Sequence, residues 1–379
     1  MTLPPRLVVG TYSVEPAGDA PDAGTGLRVL VLEREPGAAE YVGVGHEVLA
    51  SPTWVEPHPT RPWLLSVGET DPSEVVCSRL DDDGGLTVLG RCATGGDSAC
   101  HLSLSGNGRW VVVAHYGSGT VETFALDDEG RLQGPVGRYA LSGPTGPDAQ
   151  RQDRSHAHQV VPDPGRPGEL LVCDLGTDRV HRLRLGADGD LSMAAAPILL
   201  PAGTGPRHLV VDEDVLLVVA ELSWELHVLR RTGGGWRHTA AAPTTTRARA
   251  GERGGGAGGA VHVSGPVLAS ELQLVGDLVV VATRGVDVLT VLALDRRAGT
   301  LATVAEVSCG GQHPRDLVVA DGLAWVANQW SDEVVALDLA AVVAGREVAP
   351  VARVAVSRPA RVLVLDRRSG PHEPGGQER

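Results

Sequence analysis

The chain has 379 residues, of which 42% are apolar and 21% charged, with a net charge of −14 at pH 7. That much negative charge repels nucleic acid and anionic membranes, which are held by basic patches, so neither is expected as a partner. Lysine is absent and all 33 basic residues are arginine, which excludes lysine as nucleophile or base.

The opening MTLPPRLVVGTYS has no basic stretch leading into an apolar core, so no secretory signal is expected. Cys77, Cys92, Cys100, Cys173 and Cys309 form no CxxC or metal-finger spacing and read as reduced thiols. No apolar run is long enough to span a bilayer. These features together predict a cytoplasmic protein.

In chain order, RLVVGTYS, GLRVLVLE and AEYVGVGHEVL come first and read as short strands rich in Val and Leu. From Pro52 onward a unit recurs. It opens as PTWVEPHP at Pro52, CHLSLSG at Cys100, HAHQVVPDP at His156, PRHLVVDE at Pro206, SELQLVGD at Ser270, PRDLVVAD at Pro314 and PARVLVLD at Pro359, with starts 44 to 64 residues apart. A second apolar strand follows each of the first six (WLLSVGE, RWVVVAHY, ELLVCDL, VLLVVAEL, DLVVVATR, LAWVANQ), and two weaker strands come after it.

Four strands in a unit of roughly 45 to 50 residues is the pattern of a propeller blade. Seven openings therefore predict an all-β, seven-bladed propeller. The seventh opening has no strands after it, and the N-terminal three lack a first strand. The strand at 360–366 is thus expected to join them as the innermost strand and close the ring, which removes exposed edges. Helix is expected only as a turn at 338–344. The predicted domain spans 1–368 and works as a monomer, and the polar tail 369–379 is disordered. The Gly-rich stretch 243–260 reads as a flexible insertion, with a lid over the mouth as the sharper alternative.

The first two strands of a blade are antiparallel, so the start of one and the end of the other share a face near the axis. The starts carry His101, His156, His158, Arg207, His208, Glu271, His313 and Arg315. The ends carry Glu69, His115, Tyr116, Asp174, Glu221, Arg284, Asn328 and Gln329. One mouth of the channel should therefore hold a ring of His, Arg and carboxylates. The bland reading of any single member is a turn cap or a pair between blades. His156 and His158 lie on the same side of a regular strand, and with Asp174 or Glu221 they would make a metal set. The simpler reading makes one catalytic and packs the other. There is no GxSxG elbow, and GERGGGAGG lacks the Lys-Ser or Lys-Thr of a phosphate loop.

Several segments, in this order, resemble the lactonase family of seven-bladed propellers: VGTYS, SPTWVEPHP with SVGE, CHLSLSGNGRWVVVAHYGSGTVETFAL, RQDRSHAHQV with CDLGTDRV, GTGPRHLVV with VAELSWELHVL, SELQLVGDLVVVATRG, and HPRDLVVADGLAWVANQWSDEVVAL. That family includes bacterial metal-independent 6-phosphogluconolactonases and fungal carboxy-muconate lactonizing enzymes. The resemblance implies a hydrolase that opens a small anionic sugar lactone, 6-phosphogluconolactone first, with no metal and no cofactor. It maps function onto His156 or His158, Arg207, Glu221 and Arg284. Ser155 stands where the family usually has Pro.

The expected catalytic set is thus His158, Glu221, Arg207 and Arg284. His156, His101, Tyr116, Asp174, Glu69, Arg315 and Asn328 are expected to bind substrate. Either Glu221 or a neutral His158 serves as base. Two alternatives stand beside this reading: a cycloisomerase-type enzyme acting on another small acid, and a non-catalytic propeller that binds a partner through exposed apolar residues on its rim.

Overall fold

The structure, a computed structural model, describes residues 6–13, 26–35, 38–46, 48–247, 266–347 and 349–365. The strands form seven four-stranded antiparallel sheets, each a blade. Numbered from the N-terminus, the blades have as innermost strands Pro359–Leu365, Trp54–Pro57, Ala99–Leu104, Ala157–Pro162, Pro206–Asp212, Leu268–Val275 and Pro314–Ala320. The seven-bladed expectation holds, and every blade opens on the segment that marked it.

Closure is also as expected. Pro359–Leu365 pairs antiparallel with Arg6–Thr11, in a register that sets Arg6 opposite Leu365 and Val9 opposite Val362. Blade 1 is therefore made from both ends of the chain. A chain ending before Pro359 should lose its cooperative thermal transition by circular dichroism, because blades 1, 2 and 7 all lose an apolar neighbour. A truncated chain that still melts in one sharp step would show that the ring needs no latch.

The core is not central. It lies in seven apolar layers, one between each pair of neighbouring blades. The one phenylalanine, Phe124, packs with Trp63, Leu65 and Val113 between blades 2 and 3. Trp325 joins Leu7, Val9 and Val362 between blades 7 and 1. Second strands such as Trp110–His115 and Val215–Ala220 are buried along their whole length. Both faces of these strands are covered, which is why they read as unbroken apolar runs rather than alternating ones.

Among the described residues, helix is confined to one short α segment, Leu339–Val343, and to 3₁₀ turns at Leu175–Thr177 and Gln329–Ser331. Asp338 starts the α segment by accepting from the Ala341 N–H at 2.9 Å, as an N-cap does. No helix among the described residues is long and apolar enough to cross a membrane. Of the predicted insertion, residues 248–260 lie outside the described residues, and so does the predicted tail, 369–379. Arg247, on the insertion's N-terminal arm, pairs with Glu306 at 2.9 Å.

Candidate active site

A recurrent irregularity aims the site. In blades 1, 3, 4, 5 and 7 the innermost strand carries one extra residue at its second position: Ala360, Cys100, His158, Arg207 and Arg315. Blade 6 does the same at Ser270–Glu271. Such a bulge leaves a residue out of the ladder and turns its side chain away from the regular alternation. Bulged residues meet residues at or just beyond the ends of the second strands, namely Tyr12, Glu69, Tyr116, Glu221 and Arg284. This is the upper tier of the channel mouth. The next residues along the innermost strands form a lower tier, which contains Trp54, His101, Gln159, His208, Glu271, Asp316 and Arg361.

Glu221 is the centre of the upper tier and is only 2% exposed. Its Oε1 accepts from Arg151 Nη2 at 2.5 Å. Its Oε2 lies 3.1 Å from Arg207 Nε and 3.0 Å from Arg284 Nη2. Burial pulls the carboxyl upward, but Arg284, Arg151 and Arg207 outweigh it and hold Glu221 well below the usual carboxylate range. His158 Nε2 stands 3.9 Å from the same Oε2, while His158 Nδ1 is buried with no hydrogen-bond partner. Burial first, then Arg207 and His208, holds this imidazole well below its ordinary value, so it is neutral at pH 7. Arg207 also donates to the Ser270 carbonyl, and Arg284 to the Ala269 carbonyl at 3.3 Å.

A second group faces this one. Tyr12 donates to Glu69 Oε2 at 2.8 Å, and Arg315 donates to the Tyr12 hydroxyl with its guanidinium over the ring. Two stacked pairs stand on the rim: Tyr116 on His156, with centroids 4.4 Å apart, and His313 on Trp330, at 3.9 Å. Burial, ahead of Arg284 and Arg315, pushes His313 down to about 2, so it is neutral as well.

Arg151 and Tyr12 were not among the sequence candidates. Arg151 belongs to RQDR, in the loop before blade 4, where no strand pattern marks it. The loop is nonetheless rigidly built. Asp148 Oδ1 accepts from the Gln150 and Arg151 N–H groups at 3.0 and 3.1 Å, and Gln152 Nε2 donates to the Leu175 carbonyl at 2.9 Å and to Asp178 Oδ1 at 2.7 Å. The Arg154 carbonyl oxygen sits 1.6 Å from where a Cβ on Gly176 would be, so only glycine lets the loop lie flush against the blade. The loop then carries Arg151 to Glu221 and to the Tyr116 hydroxyl, which Arg151 Nε reaches at 3.2 Å. Tyr12 lies in VGTYS, a segment the resemblance included without singling the residue out.

The structure brings His158, Arg207, Glu221 and Arg284 together, with Tyr116, Glu69 and Arg315 around them. His101 sits one tier lower, its ring 4.1 Å from that of Trp54. Asp174 and Asn328 are placed elsewhere. Asp174 Oδ1 accepts from the His156 and Gly176 N–H groups at 2.8 and 3.1 Å, and Oδ2 accepts from Thr177 Oγ1 at 2.7 Å, with His181 Nε2 at 3.1 Å. Asn328 Nδ2 donates to the Cys309 carbonyl at 3.3 Å, and its Oδ1 is 3.2 Å from Cys309 Sγ. Both are the last residue of a second strand, one position before the mouth, so strand alternation turns them into the blade interior. They fasten turns rather than face the channel.

The metal alternative loses its geometry for a related reason. The bulge at His158 breaks the alternation that would have put both histidines on one side. His156 also engages both ring nitrogens, Nδ1 with the Tyr116 carbonyl at 2.8 Å and Nε2 with Asp153 at 2.9 Å. Among the described residues no group of three or more His, Cys, Asp or Glu is arranged to hold a metal ion.

With that geometry established, known proteins give it context. The family described as Lactonase, 7-bladed beta-propeller matches residues 6–363. A 6-phosphogluconolactonase of Bacillus subtilis (strain 168) is 32% identical over 279 residues, which is 71% of this chain and 74% of that protein. The structure of a periplasmic gluconolactonase of Pseudomonas aeruginosa superposes with a TM-score of 0.76 at 26% identity, covering 94% of this chain and 98% of that one. A protein from Lactobacillus plantarum shares the fold, with a TM-score of 0.78 at 23% identity over 96% of this chain and all of the other. A match to the family over nearly the whole chain, together with a relative at this level of identity, means that the chain belongs to the seven-bladed β-propeller lactonase family and is a hydrolase of the lactonase class.

Proposed function

We propose that this protein hydrolyses a sugar lactone carrying an anionic group, 6-phosphogluconolactone to 6-phosphogluconate. One observation carries the reading. Four arginines, Arg151, Arg207, Arg284 and Arg315, converge on a mouth where, among the described residues, they ion-pair with two carboxylates, Glu221 and Glu69, in a chain whose net charge is −14. A surplus of buried or half-buried cations is costly unless an anion completes it. The name of the Bacillus subtilis relative supports the same substrate.

Hydrolysis then proceeds from these residues. Water attacks the lactone carbonyl and gives a proton to neutral His158. Arg207 and Arg284 stabilise the developing oxyanion. As the ring C–O bond breaks, the leaving oxygen takes the proton back from His158. Glu221 is held too acidic by its three arginines to serve as base. Its role is to fix the arginines in place. Arg315 and Arg151, both half-buried, are the arginines nearest solvent and suit the substrate's phosphate.

A second reading is an unphosphorylated gluconolactone, as the name of the Pseudomonas aeruginosa structure suggests for that protein. A phosphorylated substrate accords with a cytoplasmic location, whereas an unphosphorylated one does not require it. Acid release in weak buffer, corrected for spontaneous opening, separates the two. We expect kcat/KM at least about 100-fold higher for the phosphorylated lactone, since a charge-assisted pair to arginine adds about 1.5–3 kcal/mol per bond. Chelator should not change the rate. Equal rates would favour the second reading, and no acceleration of either lactone would defeat both.

A further inference from the structure

Blade 7 carries a corner of the mouth that the mechanism above does not use. In blades 1, 3, 4, 5 and 7 the chain leaves the second strand in the same way. The first residue beyond it donates its N–H to the carbonyl of the residue just ahead of the innermost strand. The donors are Tyr12, Tyr116, Leu175, Glu221 and Gln329, and the acceptors Arg358, Ser98, His156, Gly205 and His313, at 2.8 to 3.1 Å. Gln329 thus holds in blade 7 the place that Glu221 holds in blade 5, and its side chain leaves the backbone at the same point of the mouth. Tyr12 is bonded there to Glu69, and Tyr116 and Glu221 to Arg151. Gln329 differs: the residue is 8% exposed, and its buried Oε1 accepts no hydrogen bond.

Two neighbours complete the corner. His313, whose carbonyl takes the Gln329 N–H at 3.1 Å, is 7% exposed, and its Nδ1 is also buried without a hydrogen bond. Trp330 follows Gln329, and its indole lies on the His313 ring with the planes 16° apart. The indole stays 47% exposed although His313 covers one face. After burial, the charges of Arg284 and Arg315 are what keep His313 neutral. The corner is therefore flanked by an arginine assigned to the carbonyl and one assigned to the phosphate.

These features fit one kind of ligand. A buried amide oxygen and a buried imidazole nitrogen without partners are costly until a ligand supplies the hydrogen bonds. A neutral imidazole accepts at one nitrogen and donates at the other, and an amide does both, which matches a hydroxyl group. An amide oxygen does not hold an anion, and the flanking arginines repel a cation. The open face of an indole is electron-rich and packs against polarised C–H bonds. A carbon chain bearing hydroxyl groups offers both.

We propose that Gln329, His313 and Trp330 form the subsite for the hydroxylated carbon chain of the substrate, with its C–H face on Trp330 and its hydroxyls bonded to Gln329 and His313. The inference rests on the lactonase reading and adds what makes the ligand a sugar. A lactone without hydroxyls would leave the two buried groups unpaired, and a site of that kind rejects such an analogue strongly.

Full-length protein is compared with Gln329→Met, which keeps the side chain's size without its amide, and with Trp330→Ala and Trp330→Phe. On 6-phosphogluconolactone, KM should rise at least about tenfold in Gln329→Met and in Trp330→Ala with kcat within about threefold, the mark of lost binding rather than lost chemistry. Trp330→Phe keeps an aromatic face and should hold KM within about threefold of wild type. An unchanged KM in either of the first two variants, or a fall confined to kcat, overturns the proposal.

Binding forms an arm that needs no turnover. Calorimetric titration with 6-phosphogluconate and with inorganic phosphate should show wild type binding the sugar acid at least about tenfold more tightly. Gln329→Met and Trp330→Ala should lose that preference while their Kd for phosphate stays the same. Equal affinities in wild type overturn the subsite even in an active enzyme. A preference that the variants lose, in a protein that opens no lactone, would uphold the subsite and count against the lactonase reading. If Gln329→Met does not fold, Trp330→Ala, at a half-exposed residue, decides by the same two readouts.

Discussion

Arg207→Ala is expected to lower kcat/KM for 6-phosphogluconolactone by about 1000-fold while leaving the fold intact. The side chain projects from a bulge and touches Glu221, the Ser270 carbonyl and the face of His208. Its loss removes a donor to the developing oxyanion, an effect of about 100- to 1000-fold by itself, and also a part of the anion-binding charge. Stability should suffer little, because Glu221 keeps Arg151 and Arg284. Arg207→Lys should recover less than a tenth of the loss. Nε and Nη1 of Arg207 serve different partners at once, and a point-charge ammonium cannot do so. Initial rates of acid release check this, and a loss under tenfold would remove Arg207 from the chemistry.

Glu221→Ala should fail in the other way. One carboxylate here balances three guanidinium groups, and removing it leaves Arg207 and Arg284 buried without an anion. Breaking a buried pair by deleting one partner costs about 3–5 kcal/mol. Urea unfolding should therefore show a midpoint lowered by that amount, with an unchanged slope. The pH dependence has a definite sign. Glu221 is held below its unfolded value, so its contribution is complete above the ordinary carboxylate range near 4.3 and is lost as pH falls through the lower folded value. The gap between wild type and variant should thus be widest near pH 7 and close only under strong acid. Inorganic phosphate should narrow the gap at pH 7 by supplying the missing anion. A variant as stable as wild type would mean that the arginines are neutralised by something other than Glu221.

These two residues were legible in the sequence, and the reason is physical. GPRH and VAEL sit at the start and end of adjacent strands in a repeat whose period is plain, so blade geometry alone brings them to one mouth. The same logic placed Asp174 and Asn328 there as well. They fall one residue short of the mouth, and in a strand one residue reverses the face. The bulges were not legible, because an inserted residue leaves the composition and the apolar pattern unchanged and shows only in the pairing register. Arg151 was missed because loops carry no periodicity, although RQDR and the glycine at 176 both bear on its placement. The seven blades and the closing strand were fully legible, since the N-terminal strands lacked a partner and the last opening lacked followers.

The bulges have a consequence for how such a protein changes over time. Each is a socket: its side chain is supplied to the channel while the flanking residues keep their pairing, so exchanging it leaves the sheet undisturbed. Three sockets hold His158, Arg207 and Arg315, and the others hold Cys100, Ser270 and Ala360, small groups that fill space without committing to a chemistry. New activities can therefore arise by refilling blank sockets one at a time, around a scaffold whose seven apolar layers never register the exchange.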